Sequence, residues 1–132
     1  MPHISAFYGA ILAFICVGLA VNVIRHRQRS KVGIGDGGDA GLQRAIRVFG
    51  NFAEYAPLAL ILIALVELCG APRVAVHIYG AVLVVGRLAH AQGLSGNPGE
   101  SPGRFAGTVL TFGVLISTAI HLLILAAPKA FG

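Results

Sequence analysis

The sequence is short of charge. Only 11% of its 132 residues are Asp, Glu, Lys or Arg, where a soluble domain carries about a quarter. A water-soluble fold of this size could not cover its surface with polar groups, so lipid must do the covering. Acidic residues are the scarcest, five against ten basic ones, for a formal net charge of +5. No aromatic-basic patch accompanies that excess, so nucleic acid is not an expected partner. The excess suits the basic residues that collect in the cytoplasmic loops of membrane proteins. Cysteine is limited to Cys16 and Cys69. The two fall at different depths of their helices, which argues against a disulfide, and both read as small apolar side chains. Lys and Arg are absent before Arg25. The apolar N-terminal stretch therefore lacks the basic start of a cleaved signal and reads as a span with a stop-transfer flank.

Chemical motifs are scarce as well. No Ser-His-Asp or Cys-His arrangement stands out. His3, His26, His77 and His121 read as interfacial or helix-contact residues, not as metal or haem ligands. The glycine-rich segment from Gly35 to Gly41 has neither the preceding strand nor the Lys-Ser ending of a phosphate loop. Glu67 reads as a solvated residue near a turn.

What is present is apolar sequence, 56% of the chain. It divides into four stretches that could each span a bilayer at about 20 residues apiece: about 4–24, 44–69, 73–92 and 104–127. The expected fold is a single all-α domain over 1–132, an integral membrane four-helix bundle of up-down topology. Asp39 is placed to cap the second helix near Ala40, Pro57 lies inside that helix, and Pro128 is expected to close the fourth. Glycine-rich sequence from Gly93 to Gly103 forms the loop between the third and fourth. Most Lys and Arg fall in the first and third loops, which predicts those loops on the cytoplasmic side of an inner membrane and both termini in the periplasm.

One helix carries polar residues where a span should carry few. On a period of 3.6, Arg44, Arg47, Asn51, Glu54 and Tyr55 share an arc of roughly 100°. Ionisable groups cost on the order of 3 kcal/mol each at mid-bilayer, and five polar groups on one face exceed what pinning two helices requires. Arg87 and His90, one turn apart on the third helix, and Arg104 at the start of the fourth fall at the same end. Arg47, Arg87 and Arg104, brought by three helices to one level, repel unless an anion sits among them. The expected ligand is a small polyanion that also offers Glu54 an amine or amide.

The run Arg47-x-x-x-Asn51-x-x-Glu54-Tyr55-x-Pro57 resembles the signature of the MAPEG family, membrane-associated proteins in eicosanoid and glutathione metabolism. Gly86-Arg87-Leu88-Ala89-His90-Ala91-Gln92-Gly93 is similar to the end of that family's third helix. The resemblance spans nearly the whole chain. It implies a homotrimer with glutathione, as co-substrate, held near the cytoplasmic leaflet between subunits. By position, Arg47, Asn51, Glu54, Tyr55, Arg87 and His90 would bind glutathione, and Arg104 would be the catalytic arginine that holds its sulfur as thiolate. The implied activity is a membrane-bound glutathione-dependent transferase or peroxidase acting on lipophilic electrophiles, with no metal. His90 and Leu94 stand where eicosanoid-making members usually carry tyrosines, and the loop before Arg104 looks longer than theirs, which points to a bacterial-type member. The second reading is a non-catalytic binding or transport protein that keeps the fold. A small multidrug transporter, of similar length, would carry an acidic residue in its first helix; this chain has none.

Overall fold

In lipid a backbone must satisfy its own hydrogen bonds, and a long apolar stretch does so by coiling into a helix. The computed structural model, which describes residues 1–96 and 101–132, has four such helices: α1 (His3–Ser30), α2 (Ala40–Leu68), α3 (Arg73–Gly96) and α4 (Pro102–Phe131). All four are long and apolar enough to cross a membrane, and no strand lies among the described residues. The chain is an integral membrane protein with four spans. Positions 97–100 of the glycine-rich third loop lie outside the described residues.

The helices overrun the apolar stretches, and the ends show why. α1 continues through the basic cluster to Ser30, where Lys31 turns left-handed (φ 53°) and its amide bonds back to the Arg27 carbonyl. The Arg27 guanidinium then donates to the carbonyls of Val32, Gly33 and Gly35 at 3.4, 3.1 and 3.0 Å, closing the end of the helix. Asp39 caps α2 as its sequence position predicts, accepting from the amides of Gly41 (2.7 Å) and Leu42 (3.1 Å). The Ser30 hydroxyl donates to the same carboxylate. These bonds, Ser30 first, hold the Asp39 carboxyl below the ordinary aspartate range. α4 starts two residues before Arg104, because Ser101 supplies the cap and Pro102 a pre-set first turn. Pro128, expected to end α4, lies inside it, and the helix runs on to Phe131. So near a terminus the ring removes a single backbone bond, which is tolerated.

Hydrogen bonds between helices fix the arrangement. The beginning of α1 meets the end of α2, the middle of α2 meets α3, and Tyr79 near the start of α3 meets His121 near the end of α4. Neighbours are therefore antiparallel. α2 and α3 each touch all the other helices, whereas α1 and α4 do not meet. The large fully buried apolar side chains, Leu42, Ile63, Val66, Val76 and Leu83, belong to α2 and α3, and α4 adds Thr111 and Thr118. Outward lie Phe14, Val17, Ile61, Val74, Ile116 and Leu123, all exposed, a surface that only lipid or another apolar partner can cover.

The far end of the bundle corrects one expectation. Glu67 is not simply solvated. Its carboxylate accepts from the backbone amides of Ile4 (3.0 Å) and Ser5 (2.8 Å) and from the Ser5 hydroxyl (2.5 Å). A carboxylate from α2 thus caps the N-terminus of α1, where free amides and the helix dipole favour an anion. His77 and His121 are helix contacts: the hydroxyl of Tyr8 pairs with His77 Nδ1 (3.2 Å) and that of Tyr79 with His121 Nδ1 (3.1 Å). α3 is in this way tied to α1 on one side and to α4 on the other. Replacing the cap by Glu67→Ala should lower the unfolding free energy in detergent by about 1–2 kcal/mol, and Ser5→Ala by less. Equal stability of Glu67→Ala and wild type in a denaturant titration would show that the cap contributes nothing.

Candidate functional site

The polar stripe of α2 divides into two groups, because 3.6 residues per turn spreads five side chains over an arc wider than one contact. Asn51 and Tyr55 turn toward α3. Arg47 and Glu54 turn outward, with 64% and 52% of their side chains exposed, and pair with one another at 3.6 Å. Both belong to α2, so the pair joins no helices.

The inward group is built on Arg87. Its residue is only 2% exposed. One guanidinium nitrogen donates to the Asn51 side-chain oxygen at 2.9 Å and to the Asn51 carbonyl at 3.3 Å. The Arg87 Cζ stands 5.8 Å from the centre of the Tyr55 ring, within range of a cation–π attraction. Tyr55 rests in turn against Phe112 of α4, with centroids 5.5 Å apart. Arg87 Nε has no hydrogen-bond partner among the described residues. A buried, always-charged guanidinium with a free N–H is expensive, and an acceptor brought by a ligand would satisfy it.

The outward group opens on a cleft of about 630 Å³, lined by Arg44, Arg47, Gly50 and Glu54 of α2, Leu94 of α3 and Arg104 of α4. A second cleft of about 790 Å³ is lined by Ser101, Pro102, Arg104, Phe105 and Thr108. Arg104 borders both. Its place is set by Ser101, whose hydroxyl donates to the Gly93 carbonyl at 2.9 Å and accepts from the Arg104 amide at 3.3 Å. The first turn of α4 is thereby fastened to the last turn of α3. Glycine makes this contact possible. A Cβ on Gly93 would fall 2.4 Å from the Arg104 nitrogen, and one on Gly107 would fall 2.5 Å from the Gly86 carbonyl oxygen. His90, 5% exposed, packs against the same Gly107. The Arg87–Asn51 bond, the Ser101–Gly93 bond and the cleft shared by α2, α3 and α4 bring the three helices together at this end.

Of the residues singled out from the sequence, Arg47, Glu54 and Arg104 line the polar cleft. Asn51 and Tyr55, half-buried, form the inner layer with buried Arg87, and His90 packs against α4. Phe112 and Ser101 were not read from the sequence, whereas Gly86 and Gly107 stand out there as small residues that let α3 and α4 approach closely. Ser101-Pro102 is a recognisable helix start. Phe112 carries no signal beyond its register in an apolar span.

The profile of the MAPEG family matches residues 5–124, a range that takes in all of α2 and α3 and most of α1 and α4. The chain belongs to the MAPEG family. Two curated relatives are similar to it: the inner membrane protein YecN of Escherichia coli strain K12 and that of strain O6:H1. Each is 42% identical over 90 residues, which is 68% of this chain and 69% of the relative.

The two groups should respond differently to substitution. Asn51→Ala strips the buried guanidinium of its side-chain acceptor and should cost about 1.5–3 kcal/mol of stability. Glu54→Ala breaks an exposed pair and should cost no more than about 1 kcal/mol. Thermal unfolding of the two variants in the same detergent compares them directly.

Proposed function

We propose that this MAPEG protein is a membrane-bound glutathione-dependent transferase or peroxidase for lipophilic electrophiles. The observation that carries the reading is the position of Arg104, which borders a charged cleft and a second cleft edged by exposed Phe105. Glutathione brings two carboxylates and one ammonium group. Arg44 and Arg47 suit the carboxylates, and Glu54 suits the ammonium once it exchanges its weak pairing with Arg47. Asn51, Tyr55, Arg87 and His90 lie in the layer behind these residues, and on this reading they would meet the tripeptide once it is seated. The unfilled N–H of Arg87 suits a carboxylate or carbonyl oxygen of the tripeptide.

A free thiol near pKa 8.5 is only a few per cent thiolate at neutral pH. Arg104 lies in the first turn of α4, so its guanidinium and the positive end of the helix act together in favour of the thiolate. In a conjugation, the sulfur attacks the electrophilic carbon of the acceptor, a carbon–sulfur bond forms, and the bond to the leaving group breaks. The leaving group departs with the electron pair, and the thiol proton passes to water. With a lipid hydroperoxide, the sulfur attacks the distal oxygen, the O–O bond breaks, and the alkoxide takes a proton. A second glutathione then displaces hydroxide from the oxidised sulfur to give the disulfide. The cleft edged by Phe105 would receive the apolar acceptor from the bilayer. In the homotrimer that the family resemblance implies, a neighbouring subunit would close the exposed side of Arg47 and Glu54. The basic first loop and the site then lie on the cytoplasmic side of an inner membrane, with both termini periplasmic.

Purified protein with glutathione and a chlorinated nitroaromatic acceptor should release chloride and form the thioether. Arg104→Ala should lower kcat at neutral pH by about 10- to 100-fold, in keeping with the loss of a charge that stabilises the thiolate. Unchanged turnover in Arg104→Ala removes that residue from the chemistry. Glutathione binding without product at any pH would favour the non-catalytic binding protein.

A further inference from the structure

Away from the candidate site, the outer face of α1 changes character once along its length. Phe14, Val17, Gly18, Val21, Arg25 and Arg29 are all exposed, and at 100° per residue they share an arc of about 120°. The face is apolar as far as Val21 and basic from Arg25 onward. From Phe14 to Arg25 is eleven residues, a rise of about 16 Å. That matches the hydrocarbon depth of one leaflet, about 15 Å. Gly18 leaves a notch between Phe14 and Val21, because a Cβ there would meet nothing within 4 Å.

The basic end is electrically unbalanced. Arg27 is engaged with three loop carbonyls. Asp39 is engaged by Ser30, Gly41 and Leu42, and Asp36 by the Gly38 amide. Arg25 and Arg29 are paired with no carboxylate among the described residues; Arg47–Glu54 is the ion pair there. Two free guanidinium groups lie directly beyond a leaflet's depth of apolar helix face. We infer that this face of α1 seats an anionic phospholipid, its acyl chain along Phe14, Val17, Gly18 and Val21 and its phosphate between Arg25 and Arg29. A bidentate guanidinium suits a phosphate, and a cation near an anionic headgroup favours it over a zwitterionic one.

Native mass spectrometry of the full chain, released from micelles containing equal amounts of phosphatidylglycerol and phosphatidylcholine, reads the preference as a ratio of retained lipids. Wild type should retain mainly phosphatidylglycerol. Arg25→Gln and Arg29→Gln should each lower the ratio by about fivefold, and the pair together should approach equal retention. Neither arginine bonds to the rest of the fold among the described residues, so the variants should keep the wild-type melting temperature. Lys129→Gln, at the end of α4, should leave the ratio unchanged. A ratio that stays at the wild-type value in the double variant overturns the inference. So does efficient self-cross-linking of Val17→Cys in a Cys16→Ser, Cys69→Ser background, which would place a second copy of the chain on this face.

Discussion

A guanidinium cannot shed its charge, and Arg87 is buried in a bundle whose surroundings are hydrocarbon. That constraint organises the site. It requires an acceptor on the facing helix, which is Asn51, and a ring face, which is that of Tyr55. It also ties α2 to α3 beside the second and third turns of α4. Arg87 remains one acceptor short among the described residues, which the proposed ligand would supply. Arg47, Glu54 and Arg104 then read as the outer ring of the same device.

The two ends of the bundle divide the labour. At the end with Glu67, α1 is fastened to α2 by a charged cap, and α3 is fastened to both outer helices by tyrosine–histidine pairs. At the other end, Ser101 and the glycine contacts hold α3 and α4 together, but the cationic side chains face open clefts. Rigidity at one end and unfilled charge at the other is the arrangement a binding protein needs. Membership of the MAPEG family supplies the chemical context, and the clefts on either side of Arg104 supply the proposal that the ligand is a thiol tripeptide and its acceptor an apolar molecule.

Much of this was legible in the sequence. Low charge and four apolar stretches establish the spans, and Asp39 marks the start of α2 because capping chemistry is local. The stripe from Arg44 to Tyr55 was legible as a polar face. Its division into an inner and an outer group was not, since that depends on where α3 and α4 pack. Glu67 misled for a related reason: a carboxylate at a helix end reads as solvated until the N-terminus of another helix is placed beside it. Pro128 misled because a proline's cost depends on how many backbone bonds it breaks, which is few at a terminus. Arg104 lies in the first turn of α4, whose start is announced by Ser101 and Pro102.

The charged end of α2, α3 and α4 is the proposed binding site for glutathione. Calorimetric titration of the detergent-solubilised protein with glutathione tests it most directly. Binding should be saturable, weaken at least tenfold in Arg47→Ala and Arg87→Met, and be reproduced by S-methylglutathione, since the carboxylates and ammonium carry the recognition. Absence of binding to the folded wild-type protein, or binding unchanged by loss of either arginine, would contradict the proposal.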